Sequence, residues 1–501
     1  MKTTTKETTP LDLDSLKKAV TENAAAFRCR RRLQPAGGDG DKVFPPTFAG
    51  AVYAVEQRRV FGNDGKVLAQ PVTCVVLDTV QSQANRMEQA LQEALDGKRL
   101  TIPVLKVDFS QWSPTGDLDA DKTAGRLIDA VGTITSLQVP HRLADAILRD
   151  SEIAEGPEGT DGKKAKVSFR KSSKGKALNT VSQQNATALY QLCPTALIFG
   201  MWDSTGPKGG LGAKFERALV SEVIGVGASF GIRTASRIDP LISKTKDIVL
   251  YEDPNGEWTL NESEARKDDN GKPVLLGKKG KVSEANLGNV TPAFAKYTKG
   301  AEGLDPLRAE PVSFDYRLSV GRDALEIRNR SATAEHEARE GRIAAGGVTI
   351  EYAEQVTTLS LIVLRRLGLT VSKKEGEDEK AFIVRLKQAE EAGRTVLAAL
   401  GLCAATLAFE SGMALRSRCL LWPEGPLEWE LLDTPGAKEL KVFSLTGKNA
   451  TELLQNAVAA ATKAGLKWEE LPIDLLPQPK LVELVRKSQL ATANTVESDA
   501  E

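Results

Sequence analysis

The chain has 501 residues and a mass of 53.9 kDa, enough for two or three average domains or for one domain with large insertions. Its 67 basic and 67 acidic residues cancel, which argues against a protein that coats a polyanion through high net charge. The balance is uneven, however: residues 1–250 carry 34 Lys and Arg against 28 Asp and Glu, and residues 251–501 carry 33 against 39, so an anion-binding surface is expected mainly from the first half.

Residues 1–25 are polar and read as a flexible N-terminus. In A-F-R-C-R-R-R-L (26–33), Phe27, Cys29 and Leu33 alternate with Arg28, Arg30 and Arg32, while Arg31 breaks the pattern; the expectation is a strand with one basic face. After a Pro/Gly-rich loop that includes Lys42, a hairpin is expected from 51–60 and 72–78. The segment Ser82–Leu95 has helical spacing, with Asp78 or Thr79 as cap, and its start directs Gln81, Gln83, Asn85 and Arg86 beyond the end of the preceding strand. A short strand at 102–109 completes a strand–helix–strand unit.

Residues 111–134 read as an acidic loop and Thr135–Asp150 as a helix with Pro140 near its start, which places His141 and Arg142 in the first turn. Between 151 and 181 a basic arm carries Lys163, Lys164, Lys166, Arg170, Lys171, Lys174 and Lys176 around Phe169, a composition suited to clamping nucleic acid. Trp202–Arg217, W-D-S-T-G-P-K-G-G-L-G-A-K-F-E-R, is a loop of four glycines and two lysines expected to open an amphipathic helix bearing Phe215, Leu219 and Val223. Glycines let backbone N–H groups approach a phosphate, and a helix start adds positive potential. The loop lacks the G-x-x-x-x-G-K-S/T and G-x-G-x-x-G patterns, which leaves a polynucleotide phosphate or an ordinary turn.

Further on, a hairpin is expected around Pro254-Asn255-Gly256, a strand at 312–320, helices at 348–369 and 380–413, a late strand at 415–422, a strand at 440–445, a helix at 450–464 and a disordered tail over 481–501. The fold class that results is α+β, with strands bracketing long insertions. Cys29, Cys74, Cys193, Cys403 and Cys419 form no C-x-x-C pair and read as small core residues of a reducing compartment. Two histidines supply little imidazole chemistry, so no metal or cofactor is expected. With no signal-peptide core and no run of about 18 apolar residues, the expected location is cytoplasmic, without a membrane partner.

Four segments, R-L-Q-P-A-G-G-D-G-D-K-V-F-P-P-T (32–47), L-D-T-V-Q-S-Q-A-N-R-M-E (77–88), S-L-Q-V-P-H-R-L-A-D-A-I-L-R-D-S (136–151) and L-I-F-G-M-W-D-S-T-G-P-K-G-G-L-G-A-K-F-E-R (197–217), together resemble the CRISPR-associated RAMP protein of type I-G systems, formerly I-U, in the Cas-seven group. The late L-R-S-R-C (415–419) fits as well. The resemblance implies an RRM-like (ferredoxin-like) palm of mostly antiparallel strands over 26–349, with finger and thumb insertions near 111–134, 151–181 and 240–300, and a helical region over 350–480 whose late strands return to the palm. It further implies a non-catalytic backbone subunit of a Cascade complex, polymerising along CRISPR RNA and presenting it to target DNA in antiviral defence. Its partners would be copies of itself, the large subunit, a guide-end-capping and processing subunit and a helicase-nuclease.

Such a subunit holds any guide sequence, so phosphate and 2′-hydroxyl contacts should outweigh base readout. An aromatic content of 5% and the absence of R-G-F-x-F-V-x-F agree with that. The RNA-binding candidates are Arg28, Arg30, Arg32 and Lys42 on the palm; Gln81, Gln83, Asn85 and Arg86 on the first helix; His141 and Arg142; Lys163, Lys164, Arg170 and Lys171 on the arm; and Trp202, Ser204, Thr205, Lys208 and Lys214 in the Gly-rich loop. The alternative is a metal-dependent nuclease using His141, Asp145 and Asp150 or Asp203, with His141 and Asp145 four apart on one helix.

Overall fold

The computed structural model describes residues 8–48, 52–59, 70–158, 164–203, 214–231, 234–237, 248–268, 270–287, 290–294, 346–437, 439–469 and 472–499. Helix α1 (Leu13–Thr21) leads into β1 (Ala26–Pro35), then β2 (Val55–Arg58), β3 (Val72–Asp78) and α2 (Val80–Asp96). Next come β4 (Leu105–Asp108), β5 (Thr133–Thr135), α3 (Ala146–Arg149), β6 (Ser151–Glu158), β7 (Lys164–Ser168) and α4 (Ser173–Leu178). Strands β8 (Met201–Trp202), β9 (Lys214–Phe215), β10 (Leu219–Val226) and β11 (Tyr352–Ser360) precede the long helix α5 (Glu379–Glu410). The chain ends with β12 (Met413–Arg416), β13 (Cys419–Pro423), β14 (Glu428–Leu432), β15 (Lys441–Ser444), α6 (Gly447–Lys463), β16 (Ile473–Pro477) and α7 (Pro479–Asp499).

The alternation in β1 buries Phe27, Cys29, Arg31 and Leu33 on one face and turns Arg28, Arg30 and Arg32 to the other. The break at Arg31 is therefore an arginine on the buried face, not a lost register. Strand β1 pairs antiparallel with β11, and β11 with β10, whose far side pairs with β3. On its other side β1 meets β13 and β14. The central order β14–β1–β11–β10, with α2 linking β1 to β10 and α5 linking β11 to the late strands, is the split β-α-β-β-α-β arrangement of a ferredoxin-like palm. Strands β4, β5, β6, β7 and β16 make a second sheet, in which β16 runs parallel to β4.

Helix α5 covers the inner face of the palm together with α1, α2 and α6. Its run V-L-A-A-L-G-L-C-A-A-T-L is buried on all sides, and small residues make this possible: a Cβ on Gly393 would meet Leu466 Cδ1 at 2.8 Å, and one on Gly401 would meet Leu359 Cδ1 at 3.1 Å. The helix is long and apolar enough to cross a membrane, with a mean hydropathy of 1.6 over an 18-residue window, but 83% of that window lies inside the fold, as expected of a core helix. All five cysteines are buried and unpaired.

Several expectations from sequence are corrected. The helix expected over 348–369 is the central strand β11, followed by a single helical turn at Leu361–Arg365; the β-branched run Val356-Thr357-Thr358 suits a strand paired on both sides. The helix expected after the Gly-rich loop is strand β9 followed by β10, whose L-V-S-E-V-I-G-V has the same β-branched character. The helix over 135–150 is interrupted: Arg142 has φ +50°, the turn after it is 3₁₀, and Asp145 restarts the chain by capping α3. The strand at 102–109 forms as β4 but joins the second sheet. The tail is helical through Asp499, anchored to the fold by buried Leu481 and Val482, by the Lys480–Asp150 pair and by Gln489, which donates to Asp129 O, while Glu483 pairs within the helix with Arg486 and Lys487. The strand expected at 312–320 lies outside the described residues. The hairpin at Pro254-Asn255-Gly256 forms as expected, as do the strand near 440–445 and the helix near 450–464, whereas the single strand expected over 415–422 is the β12–β13 hairpin with its turn at 417–418.

Candidate nucleic-acid interface

On the outer face of the palm Arg28, Arg30, Arg32 and Arg58 each meet a carboxylate or a ring. Arg28 donates from Nε and Nη2 to Glu430 (2.9 and 2.7 Å), Arg30 pairs with Glu354, and Arg58 bridges Glu56 and Glu222, each at 2.7 Å. The Arg32 guanidinium stacks on the Tyr352 ring, 3.7 Å from its centroid. Four guanidiniums and four carboxylates thus share this face, and the basic face expected from β1 is locally neutral. Arg31 lies beneath it, buried against Phe409, with Nε and Nη1 unpartnered and its pKa lowered by burial.

The start of α2 sorts its polar residues by helical angle. Gln81 and Asn85 are exposed, whereas Gln83 and Arg86 turn inward to Asp78, which is wholly buried. Asp78 accepts from Gln83 (2.6 Å), from Arg86 Nε (2.9 Å) and from Arg416 Nη2 (3.3 Å). Gln83 in turn accepts from Ser221 and Gln355, so both ends of its amide are engaged. Arg86 also donates to Leu415 O, and Arg416 to Leu77 O, which stitches the β12–β13 hairpin onto the strand–helix corner. Thr79 is the cap of α2. Arg416 and Arg418 were missed as candidates; the signal available was the pair of arginines in L-R-S-R-C beside a strand expected to return to the palm.

That hairpin reaches the segment carrying Lys42. The Phe44 N–H donates to Arg418 O (3.0 Å), and the Arg418 guanidinium lies over the Phe44 ring at 4.4 Å. Among the described residues no carboxylate pairs with the Lys42 ammonium or with the Arg418 guanidinium. Three segments far apart in sequence, 42–44, 78–86 and 414–418, thereby bring Lys42, Arg86, Arg416 and Arg418 to one end of the palm, with Asp78 shared by two of them.

The Gly-rich segment joins β8 to β9, where Trp202 is opposite Lys214 and the ammonium lies 5.9 Å from the indole. Ser204, Thr205 and Lys208 lie outside the described residues. The root of the loop is held by buried charge: Arg142 makes a bidentate pair with Glu88 (2.7 and 2.8 Å) and donates a third bond to Gly200 O (3.0 Å), and Arg217 donates to Phe199 O (3.1 Å). Gly200 has φ +81°, which glycine adopts without strain. Burial pushes the Glu88 carboxyl up to about 6 despite Arg142 and Arg217. Arg142 is therefore an internal anchor of the loop.

The arm supplies β6 and β7 to the second sheet, followed by a 3₁₀ turn and α4. Lys164 and Lys171 are exposed, Arg170 pairs with Asp150 (3.4 Å), Phe169 is buried, and Lys163 lies outside the described residues. His141 is exposed at the 3₁₀ turn. The three carboxylates weighed for metal chemistry have separate tasks: Asp145 caps α3, Asp150 meets Arg170 and Lys480, and Asp203 accepts from Arg149 (2.7 Å). Among the described residues no three His, Cys, Asp or Glu side chains are grouped to hold a metal ion.

Residues 27–230 match the family model described as CRISPR-associated protein GSU0053. The match spans β1 to the end of β10, including the Asp78 corner, Arg142 and the Gly-rich loop, and it supports a CRISPR-associated protein. No curated protein matches the chain.

Proposed function

We propose that this protein is a guide-RNA-binding backbone subunit of a type I-G Cascade complex, one of several copies along a CRISPR RNA that is held for pairing with target DNA. The observation that carries the reading is the contrast in charge across the palm. The outer face is neutralised pair by pair, while Lys42, Arg418, Lys214 and the Arg86–Arg416 pair present cations in excess of carboxylate at the palm end and the loop root. Backbone recognition uses Lys and Arg against phosphate, and it needs a rigid support that holds those cations in register. The buried Asp78, at the end of β3, and Glu88, in the middle of α2, supply that support. The subunit performs no chemistry of its own and leaves cleavage to the helicase-nuclease.

The test is titration of purified protein into a labelled 30-nucleotide RNA of arbitrary sequence at several salt concentrations. Binding should be sequence-tolerant, with log K falling by about 0.7 per phosphate neutralised for each decade of salt. Absence of binding at low salt would overturn the reading. Incubation with Mg²⁺ should leave the RNA intact; cleavage abolished by His141→Ala would install the nuclease reading instead.

A further inference from the structure

We propose that Lys42, Phe44 and Arg418 form a seat for one nucleotide of single-stranded nucleic acid, the base stacking on the exposed face of the Arg418 guanidinium and the adjoining phosphate meeting the Lys42 ammonium. This rests on the RNA-binding reading above and adds a contact from the β12–β13 hairpin, which lies outside the stretch matched to the family.

Four observations support the seat. First, Phe44 backs one face of the Arg418 guanidinium at 4.4 Å, and Arg418 is exposed. A planar cation held flat by an aromatic ring is a stacking surface for any base, because every base has a π-face. Second, Arg418 sits in the two-residue turn between β12 and β13 with φ +57°, where Gly or Asn would be at ease. Strain at an exposed side chain that no described carboxylate pairs with points to a use for that side chain outside the fold.

Third, room is made for the lysine. Gly347 has φ +84°, and a Cβ there would lie 2.7 Å from Lys42 Cγ and Cδ and 2.9 Å from Phe44 Cε2; one on Gly231 would lie 2.6 Å from Lys42 Nζ. The lysine stem and the phenylalanine ring are thus side by side over a floor of backbone. Fourth, the support is rigid: Val43 and Val348 exchange backbone hydrogen bonds at 2.9 and 2.8 Å, and Phe44 N–H is tied to Arg418 O. On the same hairpin Trp422 and Leu420 are 66% and 51% exposed, which extends an apolar surface along the strand.

Charge and shape favour nucleic acid over an acidic peptide. The Lys42 ammonium lies beside the flat surface that the Arg418 guanidinium itself offers, and the next cations along the corner, Arg86 and Arg416, share one carboxylate, so the excess charge continues as a track. A nucleic-acid backbone supplies an anion at every residue.

The experiment is fluorescence anisotropy with a labelled 30-nucleotide RNA at low salt, using full-length wild type, Lys42→Ala, Phe44→Leu and Arg418→Gly. Arg418→Gly relieves the backbone strain while removing the guanidinium, so its thermal midpoint should match or exceed wild type and its binding can be read without a folding defect. Affinity should fall about 5- to 100-fold for Arg418→Gly and for Phe44→Leu, the range expected from one stacked base. Lys42→Ala should reduce the magnitude of the salt slope by about 0.7. A strand of abasic nucleotides should bind wild type more weakly than intact RNA, and that difference should shrink in Arg418→Gly. If wild type binds RNA but all three variants stay within twofold, the seat is wrong and the backbone reading stands; if wild type ignores RNA, both fall together. Stronger capture of a poly-glutamate peptide than of RNA at the same site would also overturn the seat.

Discussion

Replacing Arg142 with methionine should cost far more than replacing Arg142 and Glu88 together. The pair is almost fully buried, its two hydrogen bonds are 2.7 and 2.8 Å long, and the third guanidinium bond holds Gly200 O. Removing one member strands a charge in the core, at a cost of about 3–5 kcal/mol, whereas an apolar pair of similar volume is often neutral. The pH dependence carries a sign that separates this account from a simple stabilising salt bridge. Burial raises the Glu88 carboxyl from 4.5 to about 6, so the folded state binds the proton more tightly than the unfolded chain. The stability contributed by Glu88 is therefore full below about 4.5 and lost as the pH rises through 6, a change of about 2 kcal/mol. Urea unfolding followed by far-ultraviolet circular dichroism would measure Arg142→Met, Glu88→Leu and the double variant at pH 7, and wild type against Glu88→Gln from pH 4.5 to 7. Single variants within 1 kcal/mol of wild type, a double variant as costly as the sum of the two, or wild type and Glu88→Gln running parallel with pH would refute the reasoning.

Asp78→Asn should destabilise the protein by about 3 kcal/mol, because Arg86 and Arg416 lose their shared carboxylate, and should speed proteolysis of the β12–β13 hairpin; limited digestion followed by mass spectrometry would detect this. Arg28→Ala and Arg30→Ala should each change RNA affinity less than twofold in the anisotropy assay, since both guanidiniums are already engaged by carboxylates of the sheet. Leu397→Ala, in the middle of α5, should lower the unfolding free energy by about 2–5 kcal/mol in urea. Truncation after Gly425 should give insoluble protein, because it removes β14, β15 and α6 and uncovers the palm edge and one side of α5; a soluble, cooperatively melting fragment would contradict the packing described.

The candidate site was legible where function and local sequence coincide. The loop of four glycines and two lysines, the basic arm and Lys42 could each be picked out as features suited to phosphate. Arg28, Arg30, Gln83, Arg86 and Arg142 were legible only as polar residues in suggestive places. Whether such a side chain faces a ligand or a buried carboxylate depends on partners remote in sequence: Glu430 is 402 residues from Arg28, and Glu88 is 54 from Arg142. The same holds for Arg418, whose meaning comes from Phe44. The helix expected at 348–369 failed because an apolar run with mixed spacing suits either period; β-branched residues and neighbours on both sides settled it as a strand.

From the residue pattern alone follow the α+β class, the alternating strand β1, the helices α2, α5 and α6, the strand returning near 415–422, the unpaired core cysteines and the resemblance to a CRISPR-associated palm. These depend on periodicity, caps and composition, all of which act over a few residues. Tertiary structure decided the strand order β14–β1–β11–β10, the neutrality of the outer face, the burial of Asp78, Glu88 and Arg142, and the meeting of Lys42 and Phe44 with Arg418. Each of these is a long-range pairing of charge or strand edge, and a local pattern specifies that a partner is needed without specifying which residue it is.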